Sequence, residues 1–94
     1  MNLEMIKNFL NKLGISQEGV ESEGKYVIDL GDSNAYSRVY TILDKSELVD
    51  LDVENMSMTE EESTMIYLSD NYDLTLGANF NDNKYTLTIE EAKE

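Results

Sequence analysis

Apolar residues recur along this chain with two periods. Leu3, Ile6, Leu10 and Leu13 fall three and four residues apart, Met5 and Phe9 widen the stripe, and Lys7, Asn8, Asn11 and Lys12 lie opposite. That spacing predicts an amphipathic helix over 2–13. Asn2 suits its N-cap, and Gly14 suits the left-handed residue that ends a helix. Residues 14–24 read as a largely polar connector. From residue 25 the period shortens to two. Strands are predicted near 25–30, 35–43, 48–56, 64–69, 72–80 and 84–90, separated by turn clusters such as Gly31-Asp32-Ser33-Asn34 and Asn81-Asp82-Asn83. Residues 91–94 read as a frayed tail.

The segment 58–63 fits two local structures. Thr59 and Glu62 have capping-box spacing, which favours one helical turn, whereas the residues after them look like a strand and favour a loop. Short turns imply antiparallel neighbours. The expected fold is therefore a single α+β domain over 1–94, with the N-terminal helix packed on a meandering antiparallel sheet of about six short strands. Val49, Leu51, Val53, Leu74, Leu76, Leu87 and Ile89 are the expected sheet core.

Composition narrows the chemistry. The chain has 94 residues, with no His, Cys, Trp or Pro. A chain of this size buries about 60–65% of its unfolded surface, enough for one modest core. Without Cys there is no disulfide, thiolate metal site or thiol nucleophile. Without His the usual acid–base group near neutral pH is missing. Paired carboxylates can hydrolyse glycosides across a cleft, but neither a cleft nor a nucleophile motif is legible, so the expectation is a non-enzyme without cofactor. Asp50, Asp52, Glu54 and Glu61 match positions of a calcium-binding EF-hand loop, yet Asn55 stands where that loop needs Gly. The longest apolar run, Met65 to Leu68, falls far short of the ~20 residues that span a bilayer. The first residues lack the apolar core of a secretory signal. Cytoplasmic residence is the expectation.

Charge changes the picture most. The net charge is −13, from twenty acids against seven bases. Residues 1–46 hold seven acids and five bases, and residues 47–94 hold thirteen acids and two. From Ser46 to Asn83 there is no Lys or Arg, yet there are ten acids. Ordinary surfaces intersperse both signs. A one-sign surface repels itself, repels membranes and nucleic acid, and attracts basic proteins.

Three groups of residues are candidates for contact. Asp50, Asp52 and Glu54 alternate with Leu51 and Val53, so a strand would align their carboxylates about 6.7 Å apart on one face. Such a row resembles a run of phosphates, which advance 3.4 Å per nucleotide along the duplex axis; an ordinary solvated sheet face has the same pattern. Glu60, Glu61 and Glu62 form a second acidic patch or a helix cap, and Asp70, Asp73 and Asp82 extend the negative field from turns. Tyr36-x-Arg38-x-Tyr40 would set Arg38 between two aromatics on one strand face, as an interface hot spot or a surface cation–π contact.

In size, acidity, lack of Cys and an acidic β-rich face, the chain resembles the small DNA-mimic inhibitors of phages and mobile elements. That class includes anti-CRISPR proteins, anti-restriction proteins and uracil-DNA glycosylase inhibitors. The resemblance is one of general character and carries no family motif. It implies a basic DNA-binding partner, such as a Cas nuclease or a restriction enzyme, and no direct contact with nucleic acid. Anti-CRISPR activity is the first choice within the class. The alternative is a non-enzymatic interaction or adaptor module whose acidity serves solubility only.

Overall fold

The computed structural model describes residues 2–92. Helix α1 spans Leu3–Leu13. The Asn2 side chain accepts from the Met5 N–H at 3.2 Å, and Gly14, at φ 95°, ends the helix by donating to the Leu10 and Asn11 carbonyls. The Ile15 N–H returns to the Leu10 carbonyl at 2.9 Å, which seats Ile15 in the core beside Ile6, Leu10 and Leu13.

The expected connector holds a strand. β1 (Val20–Ser22) pairs with β2 (Lys25–Asp29) through a two-residue turn at Glu23 and Gly24. Both turn residues have positive φ, 52° and 79°. That twist suits a tight hairpin, and Gly24 bears it without strain.

The largest correction concerns 35–43, which is helical. α2 spans Ser33–Lys45, and the Asp32 carboxylate caps it by accepting from the Ala35 N–H at 2.9 Å. Ala35, Val39 and Leu43 are buried four residues apart, with Tyr36 and Ile42 packed beside them. This helical period underlies the β-branched and aromatic composition that favours a strand. Topology supplies the stronger reason. The sheet order is β1-β2-β7-β6-β5-β3, where β3 is Asp50–Leu51, β5 Glu62–Leu68, β6 Tyr72–Asn79 and β7 Lys84–Glu91. Every pairing is antiparallel. β2 and β3 are four antiparallel steps apart and therefore run parallel. Their connection must return along the sheet, which takes a dozen or more residues and is usually a helix.

The expected strand over 48–56 is also broken. Only Asp50–Leu51 pairs with β5 before the chain enters a 3₁₀ turn at Val53–Asn55 and then β4, Ser57–Met58. Val49 is buried and Leu51 is partly so, but Val53 is 69% exposed. Thr59–Glu62 closes the β4–β5 hairpin rather than starting a helix: the Thr59 hydroxyl accepts from the Glu61 and Glu62 N–H groups, while the Thr59 N–H bonds the Glu62 carbonyl at 2.8 Å. The last expectation changes too, since Glu91 belongs to β7 and the Ala92 N–H donates to the Asn71 carbonyl. Residues 93–94 of the expected tail lie outside the described residues.

The fold is α+β, with two helices on one face of a seven-stranded sheet. The register aligns Ile28, Leu87, Leu76 and Met65 in one cross-strand row and Tyr26, Ile89, Leu74 and Tyr67 in the next. All eight are buried. Phe9 of α1 packs on Tyr72 at 5.1 Å between ring centroids, and Tyr36 of α2 packs on Tyr85 at 5.2 Å. Both helices therefore cover the same face, and the opposite face is left open.

Two buried polar groups test this packing. Ser63 is 2% exposed, and its hydroxyl has no hydrogen-bond partner among the described residues. Ser63→Ala is expected to raise stability by about 1 kcal/mol in urea unfolding, because an unpaired buried hydroxyl costs roughly that much; a loss of stability would mean the hydroxyl is paired.

Tyr67 is 1% exposed, and its hydroxyl donates to the Met65 sulfur at 4.0 Å. Burial, followed by Tyr40, Asp44 and Tyr36, pushes its pKa from 10.0 up to about 12. Unfolded Tyr67 ionises first, so its contribution is complete below pH 10 and is lost as pH rises through about 12. Ultraviolet titration should show a tyrosine step near pH 12 that Tyr67→Phe removes.

Candidate functional site

Alternation sends every second residue of the central strands to the open face. Two cross-strand rows follow from the register. One runs Val20, Val27, Thr88, Thr75, Ile66, uncharged and β-branched throughout. The neighbouring row runs Lys25, Glu90, Asp73, Leu68, Asp50. Adjacent strands lie about 4.8 Å apart, so Asp73 and Glu90 face each other closely while Asp50 stands two strands, about 10 Å, from Asp73. Lys25 meets Glu90 at 3.7 Å, the one ion pair among the described residues.

The expected row of Asp50, Asp52 and Glu54 along one strand does not exist. Asp50 lies in β3, Asp52 precedes the 3₁₀ turn, and Glu54 lies within that turn. The backbone leaves the extended conformation there, so a spacing of about 6.7 Å cannot continue. None of the three points into the core: Asp50 and Glu54 are exposed and Asp52 is half-buried. The Asp52 N–H holds the Ile66 carbonyl at 2.8 Å, and its carboxylate accepts from the Asn55 amide at 2.7 Å. Asp52 therefore shapes the turn as well as charging it.

Instead, the acids gather at two ends of the β5–β6 hairpin. At one end Glu47, Asp50 and Asp70 line a shallow depression of about 380 Å³ with Leu48, Leu68 and Ser69, and Asp73 stands next in register. The Ser69 hydroxyl locks this turn by bonding the Tyr72 backbone in both directions, donating to the carbonyl at 2.7 Å and accepting from the N–H at 3.1 Å. At the other end Glu60, Glu61 and Glu62 crown the β4–β5 hairpin. Asp82 lies nearby, because the Phe80 N–H bonds the Glu61 carbonyl and the Asp82 N–H bonds the Asn79 side chain. The two ends are separated by the length of β5, about 20 Å for its residues at strand rise. The acidic stretch thus presents two anionic lobes joined by an edge, not a line.

Tyr36, Arg38 and Tyr40 fall outside this surface. On a helix, residues two apart point in different directions. Tyr36 is half-buried against Tyr85 and Phe80, whereas Arg38 lies exposed with Ser37, Thr41 and Ile42. Arg38 is not flanked by the two aromatics as expected, and α2 occupies the opposite layer from the open face.

Glu90 was not legible as a site residue, because only the β6–β7 register brings it opposite Asp73. Leu48 and Leu68 read as strand residues, and Met58 as the start of the loop or helical turn over 58–63; they are exposed at 48%, 39% and 62%. Among the described residues, no three carboxylates converge to hold a metal ion, and no helix is long and apolar enough to cross a membrane. No protein-family model, curated protein or solved structure matches this chain.

Like charges directly opposite in a sheet destabilise it. Asp73→Asn is therefore expected to raise stability by about 0.2–1 kcal/mol at low salt, read from the urea midpoint. The gain should shrink as the Debye length falls from about 10 Å at 0.1 M to about 3 Å at 1 M salt. A gain independent of salt would assign it to packing instead of charge.

Proposed function

We propose that this protein is an acidic DNA mimic that occludes the basic DNA-binding site of a nucleic-acid enzyme, with a Cas nuclease as first candidate and a restriction enzyme as second. The observation that carries this reading is the arrangement of exposed or half-exposed carboxylates over residues 46–83 with no base among them. A protein that keeps this much unneutralised charge accepts self-repulsion, which a basic groove would relieve on binding. Two anionic lobes about 20 Å apart match the axial advance of roughly six phosphates. RNA-guided nucleases of the Cas9 type offer a fitting counterpart in their PAM-reading arginines and basic channel. In this role the chain carries out no catalysis and needs no cofactor.

A second reading has its own support. The exposed apolar side chains of the β3–β4 edge suit an interaction or adaptor module whose acidity serves solubility.

Competition separates the two. Fluorescent duplex DNA bound to a purified Cas nuclease or restriction enzyme should be displaced by this protein. Reversing Asp50, Asp70 and Asp73 to Lys should weaken displacement by roughly 30-fold or more, the effect of losing about 2–5 kcal/mol in desolvated charge pairs. Neutralising Glu18, Glu21 and Glu23 should change it only slightly, with circular dichroism unchanged in both variants. A ternary complex of enzyme, DNA and this protein, or equal losses in the two variants, rejects mimicry and leaves the adaptor reading.

A further inference from the structure

Gly77 interrupts the open face of the sheet near its middle. It lies in β6, in register with Thr64 of β5 on one side and Thr86 of β7 on the other, and Thr75 precedes it on the same strand face. Glycine weakens a strand, and it occurs where the strand bulges, bends sharply, or is approached closely by another group. The β5–β6 and β6–β7 ladders run unbroken through Gly77, so there is neither bulge nor sharp bend. The glycines with positive φ are Gly14, Gly24 and Gly31, so Gly77 is not held in a conformation that only glycine tolerates. Beyond its chain neighbours, a Cβ at this position would meet only the Thr86 Oγ1, at 3.3 Å, and that side chain can turn away. Close approach is the case left. The missing side chain makes a notch walled by Thr64 and Thr86, which stand two strand spacings, about 10 Å, apart. Sheet glycines are stabilised by an aromatic ring laid over them. This chain has none to offer there: all eight of its aromatics lie in the helices or on the face that the helices cover.

We propose that a basic protein partner docks on the open sheet face, seating an aromatic side chain in the notch over Gly77 while its arginine or lysine meets the acidic row. The inference rests on the reading of a basic partner and adds where and by which contacts it is held. The acidic row carries Asp50, Asp73 and Glu90 against Lys25 alone. Asp73 stands four residues from Gly77 on the same face of β6, about 13 Å away at strand rise. An extended partner segment lying along β6 spans that distance in four residues, so one strand-like stretch reaches both points. Between them, Thr75, Thr88 and Ile66 offer an uncharged floor. Charge selects this occupant over a second copy, which would bring another net charge of −13 to the same face. A second copy packed face to face would also bring no aromatic, because its open face has none.

The test uses two short peptides with equal numbers of arginines. One carries a tryptophan four residues before the arginines, and the other has serine in its place. Each is titrated into the full-length ¹⁵N-labelled protein at low and at high salt. The tryptophan peptide should bind at least about tenfold tighter, as expected when an aromatic side chain leaves water. Its ring current should move the Gly77 Hα protons upfield, with amide shifts at Thr64, Thr75 and Thr86. The affinity common to both peptides should fall with salt, whereas the advantage of tryptophan should persist. Gly77→Thr fills the notch. It should abolish the advantage and raise the urea midpoint, since Thr suits a strand better than Gly; a binding loss in a more stable protein is not a loss of folding. Asp50→Asn with Asp73→Asn should weaken both peptides alike. Met58→Ser, on the opposite face, should change neither. Equal affinities for the two peptides, ring-current shifts centred on the helices, an advantage that survives Gly77→Thr, or binding indifferent to the Asp50 and Asp73 changes would overturn the inference. The ring-current shift is read on the unaltered protein, so it decides even if Gly77→Thr does not fold. DNA competition does not enter this measurement. Mimicry can therefore fail while the notch stands, and a purely ionic mimic would fail here while still displacing DNA.

Discussion

Strand β7 is hydrogen-bonded on both sides, to β6 along its full length and to β2 over four positions. That double pairing joins the N-terminal hairpin to the C-terminal meander and makes one sheet of them. It also determines what the chain must do between the two parts. With β7, β6 and β5 inserted between β2 and β3, the flanking strands run parallel, and the chain can cross only over a covered face. α2 makes that crossing and buries Ala35, Val39 and Leu43 as it does so. α1 fills the rest of the same layer. The open face, with its threonine-rich row and its acidic row, is the complement of this packing.

Charge and core are separated in space. The buried cluster is apolar or aromatic apart from the Ser63 hydroxyl. The acids occupy turns, the interrupted edge and the open face, where water screens them. Their mutual repulsion is distributed over two lobes and across cross-strand neighbours such as Asp73 and Glu90, and Lys25 offsets only the latter. The apolar core of β5, β6 and β7 must outweigh that repulsion for the sheet to form.

The β3–β4 edge combines features that are usually kept apart. Edges of natural sheets are blunted by short strands, kinks and charge, and all three occur here. The same kink turns Val53 outward, where it is 69% exposed.

Local patterns in the sequence determined α1 with its Asn2 cap and Gly14 stop, the three long strands β5, β6 and β7, and burial of Val49, Leu74, Leu76, Leu87 and Ile89. In these segments period, capping chemistry and turn residues agree, so short-range physics suffices. The base-free acidic stretch was equally legible, because charge needs no fold to be counted. Where composition and topology conflicted, tertiary structure decided. Ala35–Leu43 has strand-forming residues at helical spacing, and the need for a parallel crossover selected the helix. Asp50, Asp52 and Glu54 alternate like a strand, but only the first two residues of that alternation find a partner in β5, and beyond it the chain turns. Which carboxylates stand together was likewise a matter of register: Asp73 meets Glu90 and Asp50 meets Leu68 through pairings between residues distant in sequence. Alternation assigns residues to faces within a strand, whereas neighbours across strands exist only once the hydrogen-bond ladder has formed.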